Sequence, residues 1–171
     1  MVSAADVKAL RERTGLPLMD CKKALTEADG DAELAVQKLR ERGAILGGKR
    51  SDRSTDFGRF GLFFNQEPGV GAMVELMCES APVAGHEEFI QLADDLAKQL
   101  ATGPGAADGD ELLTQPSPSQ AGKTLGEQKD ELFNRIREVF RIGRMQRVDE
   151  PCGGYLHNGA KVHGVLLSAT G

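Results

Sequence analysis

The stretch TGLPLMDCKKAL, Thr14–Leu25, separates two charged helical segments and decides how the N-terminal part of the chain folds. Its Thr-Gly step is a typical helix stop, and Pro17 suits the first turn of a new helix because its missing N–H would have no partner there. Leu16–Met19 then place apolar side chains where a solvated turn is expected. Two interpretations remain open: these side chains form a local hydrophobic staple, or they bind a partner, with Arg11 alongside to hydrogen-bond that partner.

The apolar spacing on both sides of this stretch predicts a three-helix module over residues 1–44. Ser3 and the acidic residue three positions later match a capping box that opens the first helix. The second helix should end at Asp29-Gly30. Asp31 is suited to cap the third, which we expect to stop at Gly43. The apolar spacing places Leu18, Cys21, Leu25 and Ala28 on one face of the second helix.

The following segment, residues 45–61, is rich in Gly, Ser and Arg without a sustained period, which predicts a linker. The core domain is expected over residues 62–171. It opens with two strand-like runs, GLFFN and GAMVELMC, joined by a turn at Pro68-Gly69. The apolar residues from Phe89 to Leu100 then keep a helical spacing and predict an amphipathic helix.

In the second half of the core domain, some segments predict their secondary structure clearly and others do not. Residues 102–122 are rich in Gly, Pro and Ser and predict a flexible loop. Thr124 with Glu127 is a capping-box pattern that opens another helix. The stretch REVFRIGRMQRV is ambiguous between the end of that helix and a strand, and Asn158-Gly159 predicts a hairpin between two final strands. The predicted fold is α+β, a three-helix module followed by a core with a mostly antiparallel sheet and packed helices.

The bulk composition excludes several classes of function. The 21 Lys and Arg against 26 Asp and Glu give a net charge of −5, which argues against a global polyanion binder. Three cysteines lie far apart without a CxxC pair, which indicates reduced thiols rather than a disulfide framework or a zinc site. The sequence contains no long apolar run and no signal-peptide core, so we expect a soluble, cytoplasmic chain.

Motifs of catalysis give no positive signal. The sequence lacks a phosphate-binding loop, a dinucleotide fingerprint and a nucleophile elbow, and its histidines have no metal-ligand spacing. We therefore expect no catalytic residue, no cofactor and no metal. A run of arginines near two phenylalanines is superficially similar to an RNA-binding strip, but pairing with Glu131 and Glu138 on a solvated face fits the net charge better. The run consists of Arg135, Arg137, Arg141, Arg144 and Arg147.

Three stretches together resemble a known family. VKALRERTGLPLMDCKKALTEADGDAELAVQKLRERGA, residues 7–44, closely resembles the N-terminal UBA-like module of the translation elongation factor Ts family. VELMCESAPVAGHEEF and GGYLHNGAKVHGVLLSATG are similar to a strand with its following turn and to the family's hairpin. The resemblance covers the whole chain and is weaker in the linker, in residues 102–122 and around 139–150.

The resemblance implies a nucleotide-exchange factor for elongation factor Tu, the GTPase that delivers aminoacyl-tRNA. Such a factor acts by binding alone, and the resemblance implies contact with neither nucleic acid nor membrane. A UBA-type adaptor without exchange activity is the alternative, and an RNA-binding protein a third. By resemblance, the residues that contact elongation factor Tu are Arg11, Leu18, Met19, Ser80, Ala81, Pro82, Val83, Ile136 and His157.

The chain departs from the family pattern at the turn after the second strand. The usual Thr-Asp-Phe-Val is here Ser80–Val83, so the acid and the aromatic wedge of the family are missing. Thr55–Phe57 precedes the strand, so we do not expect it to replace them. Pro82 should stiffen the turn and bias the residue before it towards an extended backbone.

Two more departures concern the rest of the chain. The glycine usual after the residue matching Ile136 is here Arg137. The sequence ends at Gly171, where longer family members continue into a second core half and a coiled coil. The resemblance implies either a short form, which in the family acts as a dimer, or a fragment.

Overall fold

The computed structural model describes residues 2–67, 69–157 and 163–168, and they form an α+β fold. The helices are α1 (Ala4–Thr14), α2 (Leu18–Glu27), α3 (Ala32–Gly48), α4 (Ala81–Ala84), α5 (Glu87–Thr102), α6 (Gly109–Leu113) and α7 (Leu125–Ile136). The strands are β1 (Phe57–Asn65), β2 (Val70–Cys78), β3 (Arg141–Val148), β4 (Cys152–His157) and β5 (His163–Ser168). One compact unit contains the chain up to Asp52 with Asp130–Arg137, and a second contains Arg53–Lys129 and the residues from Glu138.

The first three helices begin where local chemistry predicts. The Asp6 N–H donates to Ser3 Oγ at 3.2 Å and the Ser3 N–H donates to the Asp6 carboxylate at 2.9 Å, which confirms the capping box. Asp31 caps α3 by accepting the Leu34 N–H at 3.0 Å. Pro17 differs slightly from the prediction, since it is the extended N-cap residue of α2 rather than part of its first turn.

Helix α3 continues past Gly43, so the predicted stop there is wrong. Gly43 is buried inside the helix, and a Cβ at this position would overlap the side chain of Asn134. The glycine therefore allows a close approach by α7 rather than ending α3. The unit's buried apolar core consists of Val7, Leu10, Leu16, Cys21, Ala24, Leu25, Ala28, Ala35 and Leu39.

The structure differs from the predicted linker 45–61 at both of its ends. Helix α3 extends to Gly48, and β1 already begins at Phe57. Only the residues between them hold neither helix nor strand.

The strands of the second unit pair in antiparallel fashion, as predicted. The three-stranded sheet has the order β1-β2-β3, with Phe57 opposite Cys78 and a register shift between Val74 and Leu76 where β2 meets β3. The ambiguous stretch before residue 149 is therefore largely a strand. Strands β4 and β5 form a separate two-stranded sheet, and the Asn158-Gly159 turn and Pro68 lie outside the described residues.

Helix α5 provides a large part of the core of this unit, as its apolar period predicts. It packs against β1 and β2 with side chains that are fully or almost fully buried. The ring of Phe89 meets that of Phe140 edge to face, with centroids 5.3 Å apart. The buried apolar residues of α5 are Phe89, Leu92, Ala93, Leu96, Ala97, Leu100 and Ala101.

The segment 102–122 is not the loop that its composition predicts. It contains α6, whose Leu112 is fully buried. Two of its polar side chains make hydrogen bonds inside the unit: the Ser117 hydroxyl donates to Gln128 Oε1 at 2.9 Å, and Gln115 Nε2 donates to the Gly105 carbonyl at 2.5 Å. The Gly, Pro and Ser content favours a loop, although Asp108 caps α6 locally by accepting the Glu111 N–H at 2.9 Å.

Candidate functional site

The apolar residues of the stretch Leu16–Met19 lie partly in the core and partly on the surface. Leu16 is only 6% exposed and belongs to the core of the first unit, whereas Leu18 and Met19 are 49% and 69% exposed. Both exposed residues lie in the first turn of α2, while Cys21 further along the helix is fully buried. We call Leu18 and Met19 the docking turn.

A compact set of contacts fixes the backbone before the docking turn. Gly15 ends α1 in the left-handed region, at φ +68°, and its N–H donates to the Arg11 carbonyl at 2.8 Å. The Thr14 hydroxyl donates to the Leu10 carbonyl at 2.8 Å, and the Cys21 thiol lies 3.8 Å from the Leu16 carbonyl. The docking turn is thus exposed on a rigid support.

Arg11 lies in the last turn of α1 and is exposed. Within the described residues, its guanidinium makes neither a hydrogen bond nor an ion pair. The side chain can therefore donate to a partner without giving up an internal contact.

Ile136, another predicted contact, is half-buried at the end of α7 in the same unit. The next residue, Arg137, has φ +66°, a conformation that glycine adopts freely and other residues rarely do. The Arg137 N–H donates to the Phe133 carbonyl at 2.7 Å, and its Nη2 donates to Asp20 Oδ2 at 2.9 Å. Asp20 directly follows the docking turn in the sequence.

The turn at Ser80–Val83 forms the short helix α4, and this corrects one expectation. Ala81 is the first helical residue, although Pro82 was expected to bias it towards an extended backbone. A proline is tolerated in the first helical turn, where its missing N–H needs no partner. The extended residue is instead Ser80, whose hydroxyl and N–H donate to the Glu138 carboxylate at 2.6 and 3.1 Å. Ala81 and Pro82 are exposed and Val83 is half-buried.

Strand pairing brings an aromatic side chain to α4. Phe57 pairs with Cys78, which lies just before the α4 turn, and Phe57 is 47% exposed. A cavity of about 470 Å³ is lined by Asp56, Phe57, Gly58, Arg59, Phe60, Glu75, Met77, Ala81, Ala84 and Gly85. Sequence order alone had set Thr55–Phe57 aside, whereas the register of the first hairpin would have placed Phe57 beside the turn.

A buried cation lies beneath α4 in this cavity. Arg59 is 2% exposed, and its Nη1 donates to the Ala84 carbonyl at 3.1 Å. Burial lowers the pKa of Arg59, and the charge of Asp94 partly offsets this effect. Arg59 therefore anchors the end of α4 on the first strand of the sheet.

The last predicted contact, His157, is exposed at the end of β4. Its Nδ1 lies 3.3 Å from the Tyr155 hydroxyl. Alternation along β4 and β5 places Tyr155, Val165 and Leu167 on the same side as His157, and all three are exposed. We call these four residues the hairpin face.

Several arginines of the basic run pair within their own unit. Two nitrogens of the Arg144 guanidinium donate to the Glu75 carboxylate, each at 3.0 Å. Arg147 pairs with Asp149, and its Nη1 also donates to the carbonyl groups of Leu100 and Gly103. These contacts favour a paired surface over an RNA-binding strip.

The cysteines are buried and unpaired with one another. Burial raises the pKa of the Cys78 thiol to about 11, so this thiol stays protonated and a poor nucleophile near neutral pH. Within the described part of the chain, no group of three or more His, Cys, Asp or Glu side chains could hold a metal ion. Over the same residues, no helix has the length and apolar character needed to cross a membrane.

Fold and surface together define a class: an α+β protein with an N-terminal helical unit that exposes an apolar turn. The family model of elongation factor TS matches residues 79–171. Elongation factor Ts of Clostridium botulinum strain Eklund 17B is 42% identical over 170 residues, 98% of this chain and 55% of that protein. The proteins of the same name from C. botulinum strain Alaska E43 and Clostridium kluyveri strain ATCC 8527 are 41% and 36% identical with the same coverage. The chain belongs to the elongation factor Ts family, and it spans about half the length of these relatives.

Proposed function

We propose that this chain binds the GTPase elongation factor Tu in the cytoplasm and promotes GDP release during translation elongation. Family membership supports this role, and the docking turn is the observation that carries it. Leu18 and Met19 stay exposed on a helix whose other apolar residues are buried. A partner that covers them removes apolar surface from water, which favours association.

The proposed mechanism uses binding alone. The factor accelerates GDP loss if it binds the nucleotide-free GTPase more tightly than the GDP-bound GTPase. By linkage, bound GDP must weaken the affinity of the factor for the GTPase by the same ratio. In this mechanism Leu18 and Met19 provide apolar contact, and Arg11 donates hydrogen bonds beside them.

A second proposed contact surface lies in the other unit, at α4. Ala81 and Pro82 are exposed there, and the Glu138 carboxylate holds Ser80 in place. We include Phe57 in this α4 surface, because it is a large exposed aromatic residue that lines the same cavity as Ala81. Val83, Ile136 and His157 complete the set of proposed contacts. The other residues of the hairpin face, Tyr155, Val165 and Leu167, form the proposed site of self-association.

The test is the release of fluorescent GDP from preloaded elongation factor Tu, with and without this chain. We expect the release rate to rise with the concentration of the chain and then to saturate. A UBA-type adaptor would bind elongation factor Tu, as measured by calorimetry, without changing the release rate. An RNA-binding protein would give neither signal but would shift a labelled RNA in a gel. Either result would exclude the proposed function.

A further inference from the structure

We infer that Arg137 is a positioning residue for the docking turn, an inference that rests on the proposed function. Arg137 holds the first turn of α2 through Asp20, and it does so from a left-handed backbone conformation that an arginine rarely adopts.

The backbone of Arg137 is constrained on both sides. Its N–H closes the end of α7 on the Phe133 carbonyl at 2.7 Å, and its carbonyl accepts Nη1 of Arg50 at 2.5 Å. With φ at +66°, a glycine would fit this position with less strain. An arginine at this position therefore needs a reason beyond the backbone.

The side chain of Arg137 reaches the segment that contains the docking turn. Nη2 donates to Asp20 Oδ2 at 2.9 Å, and both side chains are partly shielded from water. Asp20 is also tied locally, since its N–H donates to the Pro17 carbonyl at 3.0 Å. An ion pair here connects the end of α7 to the residue next to Met19.

Other residues of the same α7 turn contact the same helical unit. The aliphatic part of Arg135 lies against Gly15, where an added Cβ would come within 2.8 Å of its Cδ. Arg135 thus packs against Gly15 before the docking turn, while Arg137 holds Asp20 after it. A turn fixed on both sides loses less conformational freedom when a partner binds, and this strengthens binding without any direct contact.

The inference predicts that the change of Arg137 to glycine weakens binding but leaves stability nearly unchanged. Arg137→Gly loses the ion pair but relaxes the backbone, so its unfolding temperature should change little. In the GDP-release assay, the half-saturating concentration should rise about three- to tenfold, as expected when one or two side chains must be ordered on binding. The maximal rate should stay unchanged, because Arg137 does not act on the nucleotide.

Arg40→Gln is the matched control, because it removes another ion pair between α3 and α7, that of Arg40 with Glu131. It should leave the half-saturating concentration at the wild-type value. The charge reversal, Asp20→Arg combined with Arg137→Asp, restores an ion pair at the same place. It should bring the half-saturating concentration most of the way back to the wild-type value, since aspartate tolerates the left-handed region.

A structural readout keeps the inference testable without activity. With ¹³C-labelled methionine methyl groups, the Met19 signal should shift or change width in Arg137→Gly and stay unchanged in Arg40→Gln. An unchanged Met19 signal, equal effects of the two variants, or failure of the charge reversal would overturn the inference. If wild-type chain does not accelerate GDP release, the proposed function fails, while the Met19 signal still decides whether Arg137 positions the turn.

Discussion

The exposed side chains of Leu18 and Met19 can be shortened without opening a cavity in the core. We therefore expect Leu18→Ala with Met19→Ala to weaken binding of elongation factor Tu while the fold stays nearly intact. Each apolar side chain buried at an interface contributes roughly 1.5–3 kcal/mol. Calorimetric titration of elongation factor Tu with the variant measures the loss.

Ile45→Ala is a matched control, since Ile45 is an equally exposed apolar residue of the same unit. It should bind like the wild type. If the double variant melts far below the wild type but its folded fraction binds normally, Leu18 and Met19 are core residues and the docking interpretation fails.

Phe57 offers a second test at the level of single residues. Phe57→Ala should raise the half-saturating concentration for GDP release several-fold, because it removes the only aromatic side chain that β1 exposes beside α4. Phe64→Ala is the control: Phe64 is similarly exposed but lies towards the opposite end of the same strand. Equal effects of the two changes would assign Phe57 to strand stability rather than to binding.

At the scale of elements, helix α4 tests whether the family's turn chemistry can be restored. Ala81→Asp with Pro82→Phe should speed GDP release several-fold if α4 still contacts the GTPase. The support for the turn stays in place, since the Glu138 carboxylate holds Ser80 rather than either substituted residue. If the variant releases GDP at the wild-type rate and Leu18→Ala still slows that release, α4 has no part in the mechanism.

The ion pair between Glu75 of β2 and Arg144 of β3 predicts that the stability of the fold depends on pH. Hydrogen bonds from Arg144 hold the pKa of Glu75 below its ordinary value of 4.5. Because the folded-state pKa is lowered, the stabilisation is present above the unfolded-state pKa and is lost as the pH falls through the folded-state value. Glu75→Gln should therefore lower the free energy of unfolding by about 1 kcal/mol near neutral pH.

Urea unfolding of both proteins at about pH 7 and about pH 3.5 measures this difference, which should shrink at the lower pH. Glu67→Gln, a change at an exposed carboxylate outside β2, is the control. A difference between wild type and Glu75→Gln that stays constant with pH would show that the carboxylate charge is not the cause.

Elements with local signals could be predicted from the sequence, and those that depend on distant partners could not. Ser3, Asp31 and Thr124 cap their helices within three residues, so the pattern contains the whole interaction. Gly43 looked like a helix stop because its real partner, Asn134, lies far along the chain. Helix α6 also has a local cap, at Asp108, but the surrounding Gly, Pro and Ser residues favour a loop.

At the scale of the whole molecule, the resemblance indicates the candidate contact residues one by one, but the sequence does not reveal how the structure arranges them. The spacing places Leu18 and Cys21 on one face of α2, and only the structure separates them by exposure. The sequence also gave no sign that Asp130–Arg137 belong to the N-terminal unit, because a helix pattern does not reveal what the helix packs against.

The hairpin face makes self-association the prediction for the whole molecule. Tyr155, Val165 and Leu167 are exposed together on one side of a two-stranded sheet, an arrangement typical of an interface. Two copies could cover this face with the same residues, giving a symmetric dimer. Sedimentation velocity should therefore report a dimer that Val165→Lys with Leu167→Lys converts to a monomer.

The charged variant dissociates the dimer because each lysine would have to leave water to enter an apolar contact. Leu34→Lys, a matched change at an exposed leucine of the other unit, should leave the dimer intact. A dimer that survives both changes would move the contact away from the hairpin face, for instance to the free edge of β1. A wild-type chain that stays monomeric at high concentration and still promotes GDP release would exclude self-association as a requirement for exchange.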